Sequence, residues 1–367
     1  MGAGAYMPMS NLGAILLKDD VLINPARRIK RYLVYFHKAQ KLFSRSRANT
    51  GQPNVKIDSS KKILSGCSVR NCHFVGDPKR LPQADVVVVS VDRNGDVPAA
   101  TARAANQRWV FLALGSPLAI NTSKIGEWAN LFNWSMTYRS DSEVPIPYGR
   151  TLAFVTPAPG NVSVPQLVPH WRVKRRDVLA AALLSNCRVR RRMNYLNTLK
   201  RYIRVHYYGS CFYRHPKKEC PRIGECGSIK RYLFYLAFEN AECQQYITER
   251  VFQHALVDGA IPVIMGASYE QCATLLPPQS FLHVDNYPTI KHLAMHIKKI
   301  ASDNDVLLSF HMWRRHFRVA NETAWVGAAD SRLCRLCEAI NYNNLQHKVY
   351  DEDYLRHFLD PKRNCRN

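Results

Sequence analysis

The sequence predicts an α/β protein made of two facing Rossmann-like domains, and three observations carry that expectation. Continuous β-branched and apolar runs, such as residues 84–91 and 108–114, read as strands buried on both faces of a parallel sheet. Segments of helical composition lie between such runs, so strand–helix–strand order recurs along the chain. A stretch carrying Pro157, Pro159, Gly160, Pro165 and Pro169 divides the pattern into two halves. With 367 residues, 46% hydrophobic and 10% aromatic, the chain has material for two cores.

Taken in order, residues 1–60 read as a stem or linker region. Within it, residues 29–44 mix Arg and Lys with Tyr, Leu, Val and Phe in the manner of a basic amphipathic helix. The polar stretch 44–60, with Gly51 and Pro53, reads as linker. Residues 61–155 form the expected first domain: strand 84–91, helix 99–107, then strand 108–114 stopping at Gly115-Ser116-Pro117. After a hinge at 156–173, residues 174–345 form the second. Its strands are expected at 178–184, 205–208, 232–238, 261–265 and 281–284. Its helices are expected at 190–203, at 246–258 closed by Gly259, and at 289–300. The last carries Ile290, Leu293, Ala294, Ile297 and Ile300 on one face. Residues 346–367 read as a tail. In paired domains of this kind, ligands bind beyond the carboxyl ends of the strands.

A formal net charge of +24 implies attraction to anions: nucleic acid, anionic lipid or a phosphorylated small molecule. The cations are spread along the chain and no helix-turn-helix or zinc-finger spacing occurs, so nucleic acid is not the expected partner. A basic nucleic-acid-binding protein stands as an alternative on charge alone. Eleven cysteines point to an oxidising compartment, with Cys67, Cys72, Cys211, Cys220, Cys226, Cys334 and Cys337 as disulfide candidates. The odd total leaves at least one thiol free if the others pair. Cys334-Arg-Leu-Cys337 has no second CxxC, which weakens a zinc reading. Sequons begin at Asn121, Asn133, Asn161 and Asn321, candidates for glycosylation. Asp303-Asn-Asp305 and Asp351-Glu-Asp353 match a metal-binding DxD pattern, but neither follows a buried strand; Asp303 reads as a helix N-cap. No metal site is expected.

The densest polar information follows the 232–238 strand, in Phe234-Tyr-Leu-Ala-Phe-Glu239-Asn240, Tyr246-Ile-Thr248-Glu249-Arg250 and Gly259-Ala-Ile-Pro262-Val-Ile-Met-Gly266. A strand that delivers Glu-Asn to a loop before a helix brings polar side chains and unpaired helix N–H groups together. That arrangement suits a pyrophosphate. Arg250 adds a fixed cation with a fork of donors, and Glu239 or Glu249 suits ribose hydroxyls.

These blocks resemble the donor signature of the α1,3-fucosyltransferase family, FxLxFEN, DYxTEK and GxVPVVxG. Phe132-Asn133-Trp134, Tyr138-Arg139-Ser-Asp141-Ser142 and Pro147-Tyr148-Gly149 are similar to a second family motif. So are Ser185-Asn186-Cys187, Arg192, Tyr195 and Tyr208-Gly209-x-Cys211, and, further on, Pro277-Pro278-x-Ser280-Phe281-x-His283-Val284-Asp285. The resemblance spans roughly residues 65–340 with the blocks in order. It implies a GT-B architecture, with an acceptor-side first half and a second half that binds GDP-fucose. The implied reaction is inverting transfer of fucose to a GlcNAc 3-hydroxyl of a glycoprotein glycan. No cofactor is obligatory, and GDP-fucose is the donor substrate. By position, Arg192, Glu239, Asn240, Tyr246, Glu249 and Arg250 would hold the donor. Trp134, Tyr138, Arg139, Asp141 and Tyr148 would make up the acceptor-side motif.

The chain departs from the family pattern in places. The family's usual Lys is Arg250 and its Asn in the same helix is His254. The sharpest departure is Gly115, which stands where the family places the glutamate proposed as its catalytic base. General-base assistance contributes about 10²–10⁴-fold. Glu127, Asp141 and Glu143 are the nearby carboxylates that offer a substitute, and a relative that binds GDP-sugar or glycan without turnover is the alternative reading. The family implies a type II membrane protein of the Golgi lumen. No apolar run here approaches the ~20 residues of a spanning helix. The expectation is therefore that the sequence starts downstream of its anchor or comes from an incomplete gene model.

Overall fold

A computed structural model of the chain describes residues 30–37, 64, 67, 69–91, 96–99, 101, 103–154, 156, 162–212, 220, 226–322, 329–343 and 348–366. The chain divides into two compact units, Met1–Pro147 with Glu322–Asn367, and Tyr148–Asn321.

The first unit is built on a parallel sheet in the order β2-β1-β3-β4-β5-β6. Its strands are β1 (Tyr32–His37), β2 (Cys72–Val75), β3 (Val86–Ser90), β4 (Arg108–Ala113), β5 (Trp134–Thr137) and β6 (Val144–Pro145). β3 and β4 are the two predicted buried runs, paired in register from Val86 with Arg108 to Ser90 with Leu112. β1 corrects the expected amphipathic helix over 29–44. Tyr-Leu-Val-Tyr-Phe-His is aromatic and β-branched, and it enters the sheet between β2 and β3, with Val34, Tyr35 and Phe36 buried. The flanking basic residues disguise a strand as a helix face. The unit therefore includes residues of the expected stem; the 44–60 linker lies outside the described residues. Of the helix expected at 99–107, the described part holds only a 3₁₀ position at Thr101 and a turn. There Gln107 closes a turn, donating its N–H to the Ala104 carbonyl while its Oε1 accepts from the Ala104 N–H.

The expected tail is core. Tyr350, Leu355, Phe358 and Leu359, from the segment leading into and through the Glu352–Leu359 helix, pack with Trp109, Phe111 and Phe132. Tyr350 and Phe358 each meet the Phe111 ring edge-on. The Ala329–Tyr342 helix covers the other side of the sheet. Two disulfides, Cys67–Cys334 and Cys72–Cys337, fasten it there. The CxxC thus splits between two partners.

The second unit holds a parallel sheet in the order β12-β11-β10-β8-β9 and a separate β13-β7 ribbon. The strands are β7 (Gly149–Ala153), β8 (Ala180–Leu183), β9 (Val205–Tyr208), β10 (Phe234–Phe238), β11 (Ile261–Met265), β12 (Leu282–His283) and β13 (Phe317–Asn321). β7 pairs antiparallel with β13, which draws the unit boundary back to residue 148, ahead of the expected hinge. The described part of that hinge is folded. Pro165 sits in the first turn of a short helix, Val164–Leu167, whose Ser163–Gln166 capping box closes its start, and Val164 and Val168 enter the core. The Arg190–Leu199 and Ile290–Ser302 helices pack on one face of the sheet through Leu196, Leu199, Leu293, Ala294, Ile297 and Ile300. Disulfides Cys187–Cys211 and Cys220–Cys226 lie in this unit, so Cys187 joins the expected set, and Cys272 is a buried thiol outside any disulfide. Among the described residues, no helix is long and apolar enough to cross a membrane.

Candidate functional site

The carboxyl end of β10 delivers Glu239 into a buried polar nest. Its side chain is 1% exposed and would be costly as an unpaired charge. It is paired on every side. Oε1 accepts from the Thr248 N–H at 2.9 Å, and the Thr248 hydroxyl lies 2.7 and 2.9 Å from the two carboxylate oxygens. Arg250 Nη1 donates to Oε2 at 2.9 Å and stands 3.6 Å from Glu249 Oε1. Burial pushes the Glu239 carboxyl up while Arg250 opposes the shift. On Arg250 burial works against the charge, but Glu239 and Glu249 outweigh it and hold the guanidinium protonated beyond its ordinary value.

The local sequence explains the nest. The helix expected from residue 246 begins at Glu249, because Thr248 adopts an extended backbone and caps it. The first helical turn then widens into a π-helix over Phe252–Val257, a rare form that often marks functional segments. Gly259, at φ 71°, closes it where a Cβ would strike the Pro169 carbonyl oxygen at 2.4 Å. Gly266, just after β11, leaves room for the carboxylate: a Cβ there would lie 2.9 Å from Glu239 Cγ. The Glu239 carboxylate accepts the Thr248 amide, one of the N–H groups that the sequence offered to a phosphate.

Arg192 is buried at 1% exposure and reaches the same strand end. Its Nη1 donates to the Phe238 carbonyl at 3.1 Å and its Nη2 to the Asn186 carbonyl. Burial and the nearby Arg250 lower its pKa to about 10, with Glu239 opposing. The Nε atoms of both Arg192 and Arg250 are buried without a hydrogen-bond acceptor among the described residues. Tyr246 is buried and hydrogen-bonds Tyr148, the two rings meeting edge-on at 6.0 Å. Burial, Tyr246 and Glu249 push the Tyr148 hydroxyl pKa far up, so it remains a neutral donor. Asn240 follows Glu239 on the exposed surface. Five of the six expected donor residues therefore bear on one neighbourhood, with Thr248 and Gly266 as members that sequence reasoning quoted without a role. Thr248 was findable as a capping residue two places before Arg250.

The acceptor-side motif divides. Tyr148 belongs to the second unit; Trp134, Tyr138, Arg139 and Asp141 belong to the first. Trp134 lies under the Arg108 guanidinium at 4.2 Å. Arg139 clasps Asp141 through Nε and Nη2 at 2.9 and 2.6 Å, and donates to the His357 carbonyl and Asn364. His357 Nε2 also lies 3.0 Å from Asp141 Oδ2. Burial works against the Asp141 charge, but the Arg139 and His357 hydrogen bonds hold its pKa below the usual value. Glu143 accepts from the Ser135 amide and hydroxyl at 2.9 and 2.6 Å, and from the Tyr350 hydroxyl. Both carboxylates are fold anchors, which corrects their expected availability as bases. Glu127 is exposed on a short 3₁₀ turn, and Gly115 closes β4 half-buried.

Asn133 is likewise corrected. It is 1% exposed, with Oδ1 accepting from Trp109 N–H and Arg103 and its amide donating to the Lys348 carbonyl, so it carries no glycan in this fold. Asn121 is exposed; Asn161 and the Asn321 side chain lie outside the described residues. Asp303 and Asp351 cap helices, accepting from Asp305 and Val306 N–H and from Tyr354 N–H. No cluster of three or more metal-ligating side chains occurs among the described residues.

Two parallel sheets, with a charged nest at a strand's carboxyl end, define an α/β protein whose polar site lies where such sheets bind ligands. Residues 30–149 match the family model "Fucosyltransferase, N-terminal", and residues 173–354 match "Glycosyltransferase family 10 (fucosyltransferase) C-term". The chain belongs to glycosyltransferase family 10. It is 32% identical over 247 residues to Alpha-(1,3)-fucosyltransferase 4 of Bos taurus, covering 67% of this chain and 59% of that protein. It is 31% identical over 289 residues to 4-galactosyl-N-acetylglucosaminide 3-alpha-L-fucosyltransferase FUT5 of Homo sapiens, covering 77% and 71%. A crystal structure of an alpha1,3-fucosyltransferase with GDP matches at a TM-score of 0.51 and 14% identity, covering 92% of this chain and 97% of that one, a likeness of fold.

Proposed function

We propose that the chain transfers L-fucose from GDP-fucose, with inversion, to the 3-hydroxyl of a GlcNAc residue in a glycoprotein glycan. The observation that carries this reading is the nest at the end of β10. There, Arg250 pairs with the buried Glu239 carboxylate, Arg192 reaches the same strand end through the Phe238 carbonyl, and the Nε–H groups of both lack an acceptor among the described residues. A diphosphate is an acceptor that matches guanidinium donors of this kind. Arg192 and Arg250 would hold it, Glu249 would take ribose hydroxyls, and Tyr246 with Tyr148 would wall the pocket. In the reaction the acceptor oxygen bonds to the anomeric carbon as the bond to GDP breaks. The guanidinium groups stabilise the charge that gathers on the departing diphosphate. Disulfides such as Cys67–Cys334, Cys72–Cys337, Cys187–Cys211 and Cys220–Cys226 fit an oxidising lumen, and the Golgi is the compartment we assign.

Gly115 favours a second reading, a protein that binds the donor but turns it over slowly. The acceptor proton must leave with a base, and of the three carboxylates near β4, Asp141 and Glu143 are already committed. A transfer assay with GDP-fucose and GlcNAc-terminated glycans separates the two readings. The first predicts product from the wild-type chain, with Glu127→Ala lowering the rate if Glu127 serves as the base. The second predicts donor binding with only trace product, and a rise of about 10²-fold or more in Gly115→Glu. Absence of both GDP-fucose binding and product would refute both.

A further inference from the structure

A cavity of about 320 Å³ opens in the second unit at the β12 edge of the sheet, lined by residues that take no part in the β10 nest. Four aromatic rings shape it: Tyr269, Phe281, Tyr287 and Phe310. Tyr269 is 42% exposed, yet its ring is held in place, tilted on Phe281 at 5.8 Å and edge-on to His283 at 6.2 Å. Tyr287 is fixed from behind by a 2.6 Å hydrogen bond to His296 Nδ1. Between the rings stand neutral polar groups. The Gln279 and Asn286 amides make no hydrogen bond to the described residues, and the Ser309 hydroxyl donates to the Val306 carbonyl, which leaves its oxygen free to accept.

Charge is missing from this wall: no Lys, Arg, Asp or Glu lines it. His283, which does, accepts from the Asp285 N–H at Nδ1 and faces the Ala267 carbonyl with Nε2 at 2.9 Å, so its ring is the neutral Nε2–H tautomer. Gln279 is set with φ 54°, a left-handed conformation uncommon for a residue other than glycine. The site is concave, preformed and at the small end of the ~300–1,000 Å³ typical of ligand pockets.

We infer that this cavity is a second, donor-independent binding site for a neutral sugar, a pyranose ring or the end of an uncharged oligosaccharide. A pyranose has an apolar face of C–H groups that suits an exposed, immobile aromatic ring, and a rim of hydroxyls that needs both donors and acceptors. Amides supply both from one side chain. A nucleotide or an acidic glycan finds no cation here, and a purely apolar ligand would strand the two amides.

The test is titration of the full chain with N-acetyllactosamine, chitobiose and maltose, followed by saturation-transfer NMR, with GDP-fucose titrated in parallel. The wild type should bind at least one of these saccharides, and Tyr269→Ala should weaken that binding about tenfold or more. Tyr269→Phe should restore it, since the ring is what is used. Gln279→Ala and Asn286→Ala, both exposed positions, should each weaken it severalfold with unchanged thermal midpoints. No saccharide binding by the wild type, or equal binding by wild type and Tyr269→Ala, would overturn the inference. A failure of GDP-fucose alone to bind would count against the donor site and leave this one standing.

Discussion

At the scale of single residues, Glu239 is the position on which the buried polar nest depends. Glu239→Ala would leave Arg250 beside Arg192 with Glu249, 3.6 Å away, as its remaining carboxylate. Removing one partner of a buried ion pair costs about 3–5 kcal/mol, so we expect urea unfolding to show a loss of that size. Gly266→Ala acts differently. Its new Cβ meets Glu239 Cγ at 2.9 Å, and overpacking of this kind costs about 1–3 kcal/mol. The displaced carboxylate should also cost GDP at least tenfold in affinity by calorimetry, whereas a merely space-filling change would leave GDP binding intact. The sequence made Glu239 and Arg250 legible because charged side chains soon after a buried strand invite a functional reading, whereas Arg192, inside a helix, came only from the family resemblance. It left Gly266 unexplained because its role is an absence, the missing Cβ that lets a side chain from the next strand lie down. Asp141 and Glu143 were misread for a related reason. Nothing in one dimension shows that Arg139 and Tyr350 have already claimed them.

At the scale of elements, the helix after β10 and the start of the second unit carry the testable features. Thr248 caps that helix and binds Glu239 with both its amide and its hydroxyl. Thr248→Ala should cost about 1–2 kcal/mol for the cap, with GDP affinity falling alongside as Glu239 loses a partner. Lys174 donates to the Tyr232 and Asp258 carbonyls at 2.8 Å each, and burial lowers its pKa to about 7, with Arg314 adding to the shift and Asp258 opposing it. Between about 7 and the ordinary lysine value of 10.5, the unfolded chain holds a proton that the folded chain has released. Stability should therefore rise with pH across that window, by up to about 1.4 kcal/mol per pH unit from this group. Urea midpoints at pH 7 and pH 9 should move apart in the wild type and draw together in Lys174→Met. Parallel profiles would refute the assignment. Strands were the most legible elements, because β-branched runs bury on both faces. β1 was lost because Lys30 and Arg31 before it and Lys38 after it gave a short aromatic strand the look of a basic helix.

At the scale of the whole molecule, the two-domain α/β architecture could be read from repeating strand–helix order, but the boundaries could not. Residues 322–367 return to the first unit, and such a return leaves no local mark in composition. The cysteines held the clue: Cys67–Cys334 and Cys72–Cys337 join positions 267 and 265 residues apart, both inside that unit. Closing loops of that length restrains the unfolded chain strongly. Replacing Cys72 and Cys337 with Ser should lower unfolding stability by about 2–4 kcal/mol, read from the thermal midpoint under non-reducing conditions. The central claim is that the nest at the end of β10 binds a guanosine diphosphate sugar through Arg192 and Arg250. Calorimetric titration of GDP-fucose into the wild type and into Arg250→Ala tests it most directly. Saturable binding by the wild type that weakens at least a hundredfold in the folded variant is the predicted result. Equal affinity in the two proteins, or no binding by the wild type, would contradict it.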